Sequence, residues 1–215
     1  MKKDVLKIVV AVLLCCGGLS QAAPITIQIS GNITSIAGYT AAIPSTIHAG
    51  VTFTGTYTYD SLASDSDSSV QRGVYQHNSP YGISISLGGY TFATAPNHVG
   101  KFVMIIKNND TTNGVIDCYT VFSAYQNIPS IGFAPDSISW NLRDSTYDAL
   151  SSDALPATAP VLTDWNYNVL SIGGVYGPDL YGLTIYGTVT QAILVPEPLT
   201  GLLMITGVLF LRRKQ

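Results

Sequence analysis

Between Pro24 and Leu194 the chain alternates apolar and polar residues one by one, and no convincing 3.6-residue apolar repeat interrupts it. Successive side chains of an extended strand point to opposite faces, so this rhythm belongs to half-buried β-strands. Ile25-Thr26-Ile27-Gln28-Ile29 puts three Ile on one face. Val51–Tyr59 places apolar or aromatic residues and Gly55 on one face and four Thr on the other. Ile83–Leu87 repeats the pattern, and Gly88-Gly89 turns the chain into Tyr90-Thr91-Phe92. Phe102–Ile106 is apolar on both faces, as a central strand would be. Cys118–Phe122, Ile138–Leu142 and Leu183–Val189 complete the set.

Strands this close together, with no helix to bridge parallel neighbours, predict an all-β antiparallel β-sandwich of jelly-roll or immunoglobulin-like type over residues 23–194. Composition agrees. Charged residues are only 11% of the chain against a typical ~25%, too few to clothe a helical bundle, while 47% hydrophobic residues argue against disorder. Gly31-Asn32-Ile33-Thr34 near the start is echoed by Gly187-Thr188-Val189-Thr190 near the end. The echo is either a common strand motif or a sign that the first and last strands pair.

The two ends read differently from the body. Residues 1–22 have the form of a secretory signal peptide: Lys2, Lys3 and Lys7, an apolar run from Ile8 to Cys16, then Ser20-Gln21-Ala22 for signal peptidase. A lipoprotein signal on Cys15 or Cys16 is the competing reading, although Leu14 and Cys15 are poor residues to precede the modified cysteine. The tail reads Val195-Pro196-Glu197-Pro198, an apolar run 199–211, then Arg212-Arg213-Lys214-Gln215. As a helix that run spans only ~20 Å, short of a ~30 Å hydrocarbon core, so it is marginal as a permanent anchor, and its basic end is expected to stay cytoplasmic. A plain tail anchor is the alternative.

This tail resembles the PEP-CTERM sorting signal. The resemblance implies recognition of Pro196, Glu197 and Pro198, with Arg212, Arg213 and Lys214 as the basic stop, by an exosortase of a Gram-negative bacterium. It further implies transient inner-membrane anchoring through 199–211, then a cell-surface or extracellular-matrix address and a structural or adhesive role linked to exopolysaccharide or biofilm. The segment Val51–Phe92, with Thr54-Gly55-Thr56-Tyr57-Thr58-Tyr59-Asp60 and Gly73-Val74-Tyr75, is similar to the N-terminal half of a common kind of PEP-CTERM body. That second likeness implies a β-sandwich and no chemistry.

Without its ends the body carries Arg72, Lys101, Lys107 and Arg143 against eleven Asp, a formal −7. Such a body is repelled by nucleic acid and anionic lipid. Cys118 alone remains, and a lone cysteine is best explained as a small buried residue in a strand. Two acidic loops offer oxygens to a calcium ion: Asp60, Asp65 and Asp67 in the first, Asp110 and Asp117 in the second. Ordinary solvated turns explain the same residues. Among the aromatics of the second half, Trp140 belongs to an alternating strand and to the core, whereas Trp165 and Tyr167, beside Asp164 and Asn166, are the candidates to stack on a glycan. They make a carbohydrate-binding, calcium-stabilised lectin-like module the rival reading. His48, His77 and His98 are isolated, the body has no Glu, and neither a Gly-x-Ser-x-Gly elbow nor a phosphate loop occurs. The expectation is a protein that is not an enzyme; a pocket with two Asp carboxyls ~5–10 Å apart and room for a sugar would point instead to a hydrolase.

Overall fold

The computed structural model describes residues 24–111, 116–124, 132–177 and 181–196. The expected signal peptide 1–22 and, apart from Pro196, the sorting residues Glu197, Pro198, 199–211, Arg212, Arg213 and Lys214 lie outside them. Ten strands account for most of the body: β1 (Pro24–Gly38), β2 (Thr52–Asp60), β3 (Arg72–His77), β4 (Gly82–Leu87), β5 (Tyr90–Ala93), β6 (Phe102–Asp110), β7 (Ile116–Ala124), β8 (Ala134–Asp144), β9 (Tyr167–Tyr176) and β10 (Tyr181–Leu194). The only helical turns among the described residues are short 3₁₀ segments at Thr40–Ala42 and Leu162–Asp164. Each strand expected from alternation is present. β3 and β9 were not expected.

The strands form one antiparallel sheet in the order β3-β6-β7-β8-β9-β10-β1-β2-β4-β5. The expected all-β antiparallel body is present, with the difference that its strands make one continuous sheet. β1 explains the difference. Its early residues pair with β2 from Pro24 to Asn32, while from Ile27 onward it also pairs with β10, so the sheet passes through it unbroken. Register shifts at Ser30/Gly31 and Ile33/Ser35 raise the local twist, and the sheet curls into a half-barrel. The two flanks then face one another across an apolar interior. Phe92 approaches Phe133 with ring centroids 6.5 Å apart, and Ser123 Oγ donates to Thr94 Oγ1 at 2.9 Å.

The echo near the two ends is a pairing. Gly31 lies opposite Val189, Asn32 opposite Thr188 and Ile33 opposite Gly187. Both glycines make room for Phe53: a Cβ on Gly31 would collide with the Thr188 carbonyl and the Phe53 ring, and one on Gly187 would press on that ring from 3.0 Å. The interior is filled by the expected faces, including Ile27, Ile29, Tyr57, Ile85, Met104, Trp140 and Ile185, all 0–1% exposed. Trp140 is core, as its alternation predicts. Cys118 is buried in β7, with Sγ 3.2 Å from Thr120 Oγ1.

Candidate functional site

One end of the half-barrel is covered by the long connection from β8 to β9. Three bonds from the interior fasten it down: Tyr59 Oη donates to the Pro156 carbonyl (2.5 Å), Tyr75 Oη to the Asp153 carbonyl (3.0 Å), and the Leu150 N–H to Asp117 Oδ2 (2.8 Å). Trp165 closes the connection, its indole edge-on to Tyr119 at 6.4 Å. Two hollows flank this indole. One, of about 300 Å³, lies between Tyr119, Leu150, Leu155, Pro160 and Trp165. The other, of about 600 Å³, is open and acidic, lined by Asp144, Thr146, Asp148, Thr163, Asp164 and Asn166 beside Trp165.

Asp144 organises the acidic hollow. It is 2% exposed and lies directly across the ladder from the equally buried Asp117. Like charges face to face are unfavourable, so each carboxylate needs its own donors. Asp117 accepts from the amides of Asn109 and Leu150. Asp144 accepts from the amides of Thr146 and Asp148, the Thr146 hydroxyl and Asn166 Nδ2. Burial works to raise the Asp144 carboxyl, but these donors outweigh it and hold the group below the ordinary aspartate range.

Thr146 Oγ1 touches Asp144 Oδ2 at 2.8 Å and Asp148 Oδ1 at 2.7 Å, which brings those two oxygens within about 5.5 Å. Two carboxyls beside a sugar-sized hollow are the arrangement that would point to a hydrolase. Here Asp144 accepts from the Thr146 and Asp148 amides, the Thr146 hydroxyl and Asn166, all of its own loop, so it braces that loop. What the hollow does offer is a set of acceptors, an amide, two threonine hydroxyls and an indole edge. That set complements a ligand rich in hydroxyl groups.

The structure separates the two expected glycan-stacking residues. Trp165 is only 9% exposed and belongs to the core cluster, since its indole turns inward between Tyr119 and the covering loop. Tyr167 is 41% exposed, and the Arg143 guanidinium stands 5.1 Å from its ring centroid, covering one face. They do not form one flat platform. Asp144 and Asp148 had no signal in the sequence, because it is the strand register that brings the first beside the interior.

The expected calcium residues are engaged elsewhere. Asp60 Oδ1 accepts from the Leu62 amide, and Asp65 Oδ1 from the amides of Asp67 and Val74. Asp67 accepts from the Ser69 amide and pairs with Arg72 at 2.6 Å, while Asp110 pairs with Lys107 at 2.8 Å. Among the described residues no group of three or more His, Cys, Asp or Glu is placed to hold a metal ion. The turn explanation fits Asp60, Asp65 and Asp67, whereas Asp110 and Asp117 are buried at the ends of β6 and β7. Of the sorting residues only Pro196 is described, and it is exposed.

The outer face of the sheet shows a second feature. From β9 through β10, β1, β2 and β4 to β5, the single charged residue is Asp60 at the end of β2. A cross-strand row Gln191–Ser30–Thr54–Ser86–Thr91 runs over five strands. A neighbouring row holds Gln28, Thr56 and Ser84, and Thr26 and Thr58 join hydroxyls at 2.9 Å. Adjacent strands lie ~4.8 Å apart, so hydroxyl and amide groups are spread over this face at near-regular intervals. Comparison with known protein families, with curated proteins and with solved structures finds no match.

Proposed function

We propose that this is an exported, exosortase-processed protein of the cell surface or extracellular matrix, whose body has a structural or adhesive role in exopolysaccharide or biofilm. Signal peptidase and exosortase would act on the two ends, where the lysine-led apolar leader and the order Pro196-Glu197-Pro198, apolar run, basic residues support the reading. The observation that carries the role of the body is its outer face: six adjacent strands with hydroxyls and amides and almost no charge. Such a face has little to attract a polyion and many groups to exchange hydrogen bonds with a neutral sugar chain. The fold reading that goes with it is a flattened half-barrel whose flanks pack as sandwich layers do. It favours neither a jelly-roll nor an immunoglobulin-like arrangement.

The test has two arms. The tagged protein is localised in the native host with and without its exosortase; retention of the full tail in both removes the sorting reading. The paired change Thr54→Lys and Ser86→Lys is then assayed by affinity electrophoresis in neutral polysaccharides. Binding that falls tenfold while stability stays within about 0.5 kcal/mol supports the face, and binding that is absent or unchanged removes it.

A lectin-like module using the acidic hollow beside Trp165 is the second reading, favoured by the convergence of Asp148, Asp164 and Asn166 there. Loss of glycan binding in Asp164→Ala and Asn166→Ala, with the face variant unaffected, would select it.

A further inference from the structure

At the rim of the half-barrel two histidines are buried, His77 at 2% and His98 at 8% exposure. Among the described residues, the side-chain nitrogens and oxygens that are buried with no hydrogen-bond partner are His77 Nε2 and His98 Nδ1. Both belong to one small structure, in which the loop before β6 is fastened to the turn after β3. The Ser79 amide donates to the His98 carbonyl (3.2 Å), the Gly100 amide to Asn78 Oδ1 (2.9 Å), and His98 Nε2 contacts the Tyr81 carbonyl at 2.7 Å.

The partners fix where the protons are. A carbonyl only accepts, so His98 Nε2 carries the hydrogen and Nδ1 is a bare lone pair. A backbone amide only donates, so His77 Nδ1, 3.4 Å from the Asp60 nitrogen, is the acceptor and Nε2 carries the hydrogen. One ring therefore holds an unmet donor and the other an unmet acceptor. The surroundings tolerate only the neutral form. The His77 ring is enclosed by Tyr59, Tyr81 and Phe102, with centroids 5.5–6.2 Å away. Tyr59 and Tyr81 offer no charge at neutral pH, Asp60 is the one anion acting on the ring, and His98 would repel a second cation. An added proton on His77 Nδ1 would face the Asp60 N–H, donor against donor.

We propose that His77 is a proton-operated fastening: neutral, it holds the 94–101 loop against the 78–81 turn; protonated, it releases the loop and opens this end of the half-barrel. Release would reshape the adjacent open groove of about 400 Å³, which Ser79, Tyr81, Thr94, Pro96 and His98 line together with Thr56 and Thr58 of the outer face. The electrostatics agree. Burial, helped by His98, holds His77 down to about 4, against the upward pull of Asp60. The closed form thus resists the proton that a released histidine takes up near its ordinary value of ~6.5, and acid favours release through that range.

Native-state hydrogen exchange, corrected for intrinsic rates, tests this at pH 7 and pH 4.5. Protection of the Ser79 and Gly100 amides should fall at least tenfold at the lower pH, with β1 and β10 unchanged. The double variant His77→Phe, His98→Gln, which fills the aromatic cage and keeps a donor for Tyr81, should abolish the difference. Unchanged protection in the wild type, equal loss in the variant, or simultaneous loss across β1 and β10 would each overturn the proposal. If the double variant does not fold, the His77 ring resonance decides: titration near 6.5 in the intact protein overturns it, and resistance down to about pH 5 upholds it.

Discussion

The hydroxyls of Tyr57 and Tyr119 meet at 2.7 Å in the buried interior, joining β2 to β7 although β8, β9, β10 and β1 separate them in the sheet order. Trp140 packs edge-on against both rings, at 5.9 and 6.0 Å. Tyr119→Phe leaves the Tyr57 hydroxyl buried without this partner and should cost about 1–3 kcal/mol in urea unfolding. Changing both tyrosines to Phe removes donor and acceptor together, so the double variant should lose less than the sum of the singles. Strict additivity would show that the pair does not bind the two flanks.

The same pair predicts a limit at alkaline pH. Burial, the largest influence on both, pushes the Tyr57 and Tyr119 hydroxyls well above the ordinary tyrosine value. The fold therefore favours their neutral form, whereas the unfolded chain ionises near ~10. Their contribution to stability is complete below that pH and is lost as pH rises beyond it. Absorbance at 295 nm should show exposed tyrosines titrating first and the buried ones only with the collapse of near-ultraviolet circular dichroism. A single smooth titration near 10 with the fold intact would contradict this.

Gly31→Ala is the substitution that should damage the sheet most per atom added. Its methyl group would enter the Thr188 carbonyl and the Phe53 ring, at the crossing of β10, β1 and β2. Overpacking of this kind costs about 3 kcal/mol, read as a lower denaturation midpoint at unchanged slope. Phe53→Leu in the same chain should recover part of the loss.

Asp65 protects an edge. β3 is the first strand of the sheet, and its outer side is met by Asp65 and Ser66: Asp65 Oδ1 accepts from the Val74 amide, and the Ser66 amide and hydroxyl donate to the Val74 carbonyl. Asp65→Ala should cost about 1 kcal/mol and leave a strand edge free to pair with another chain. Light scattering should detect self-association absent from the wild type.

How far the sequence reached depends on where the apolar signal was carried. Strands whose inward face is Ile, Leu, Phe or Met were legible from alternation. β9 was missed because its inward positions end in Gly174 and its outward ones include Ser171 and Gly173, which blur the period. β3 was missed because it turns Gly73, Tyr75 and His77 inward without one aliphatic residue. The glycine echo did indicate that the first and last strands are neighbours. Whether the sheet would divide or curl was not legible, since that depends on β1 holding partners on both sides at once. At the site, polar Asp164 and Asn166 made Trp165 look exposed, yet its indole reaches past them to Tyr119.

The neighbouring placement of the body's two ends has a mechanical consequence. Val195 donates its amide to the Thr26 carbonyl, so the chain leaves β10 beside the place where it enters β1. Tension applied between these two exits would part the ladder rung by rung, like a zip. A load taken up on the outer surface would be shared among many rungs. A body tethered through its tail would hold best when whatever it grips pulls broadside.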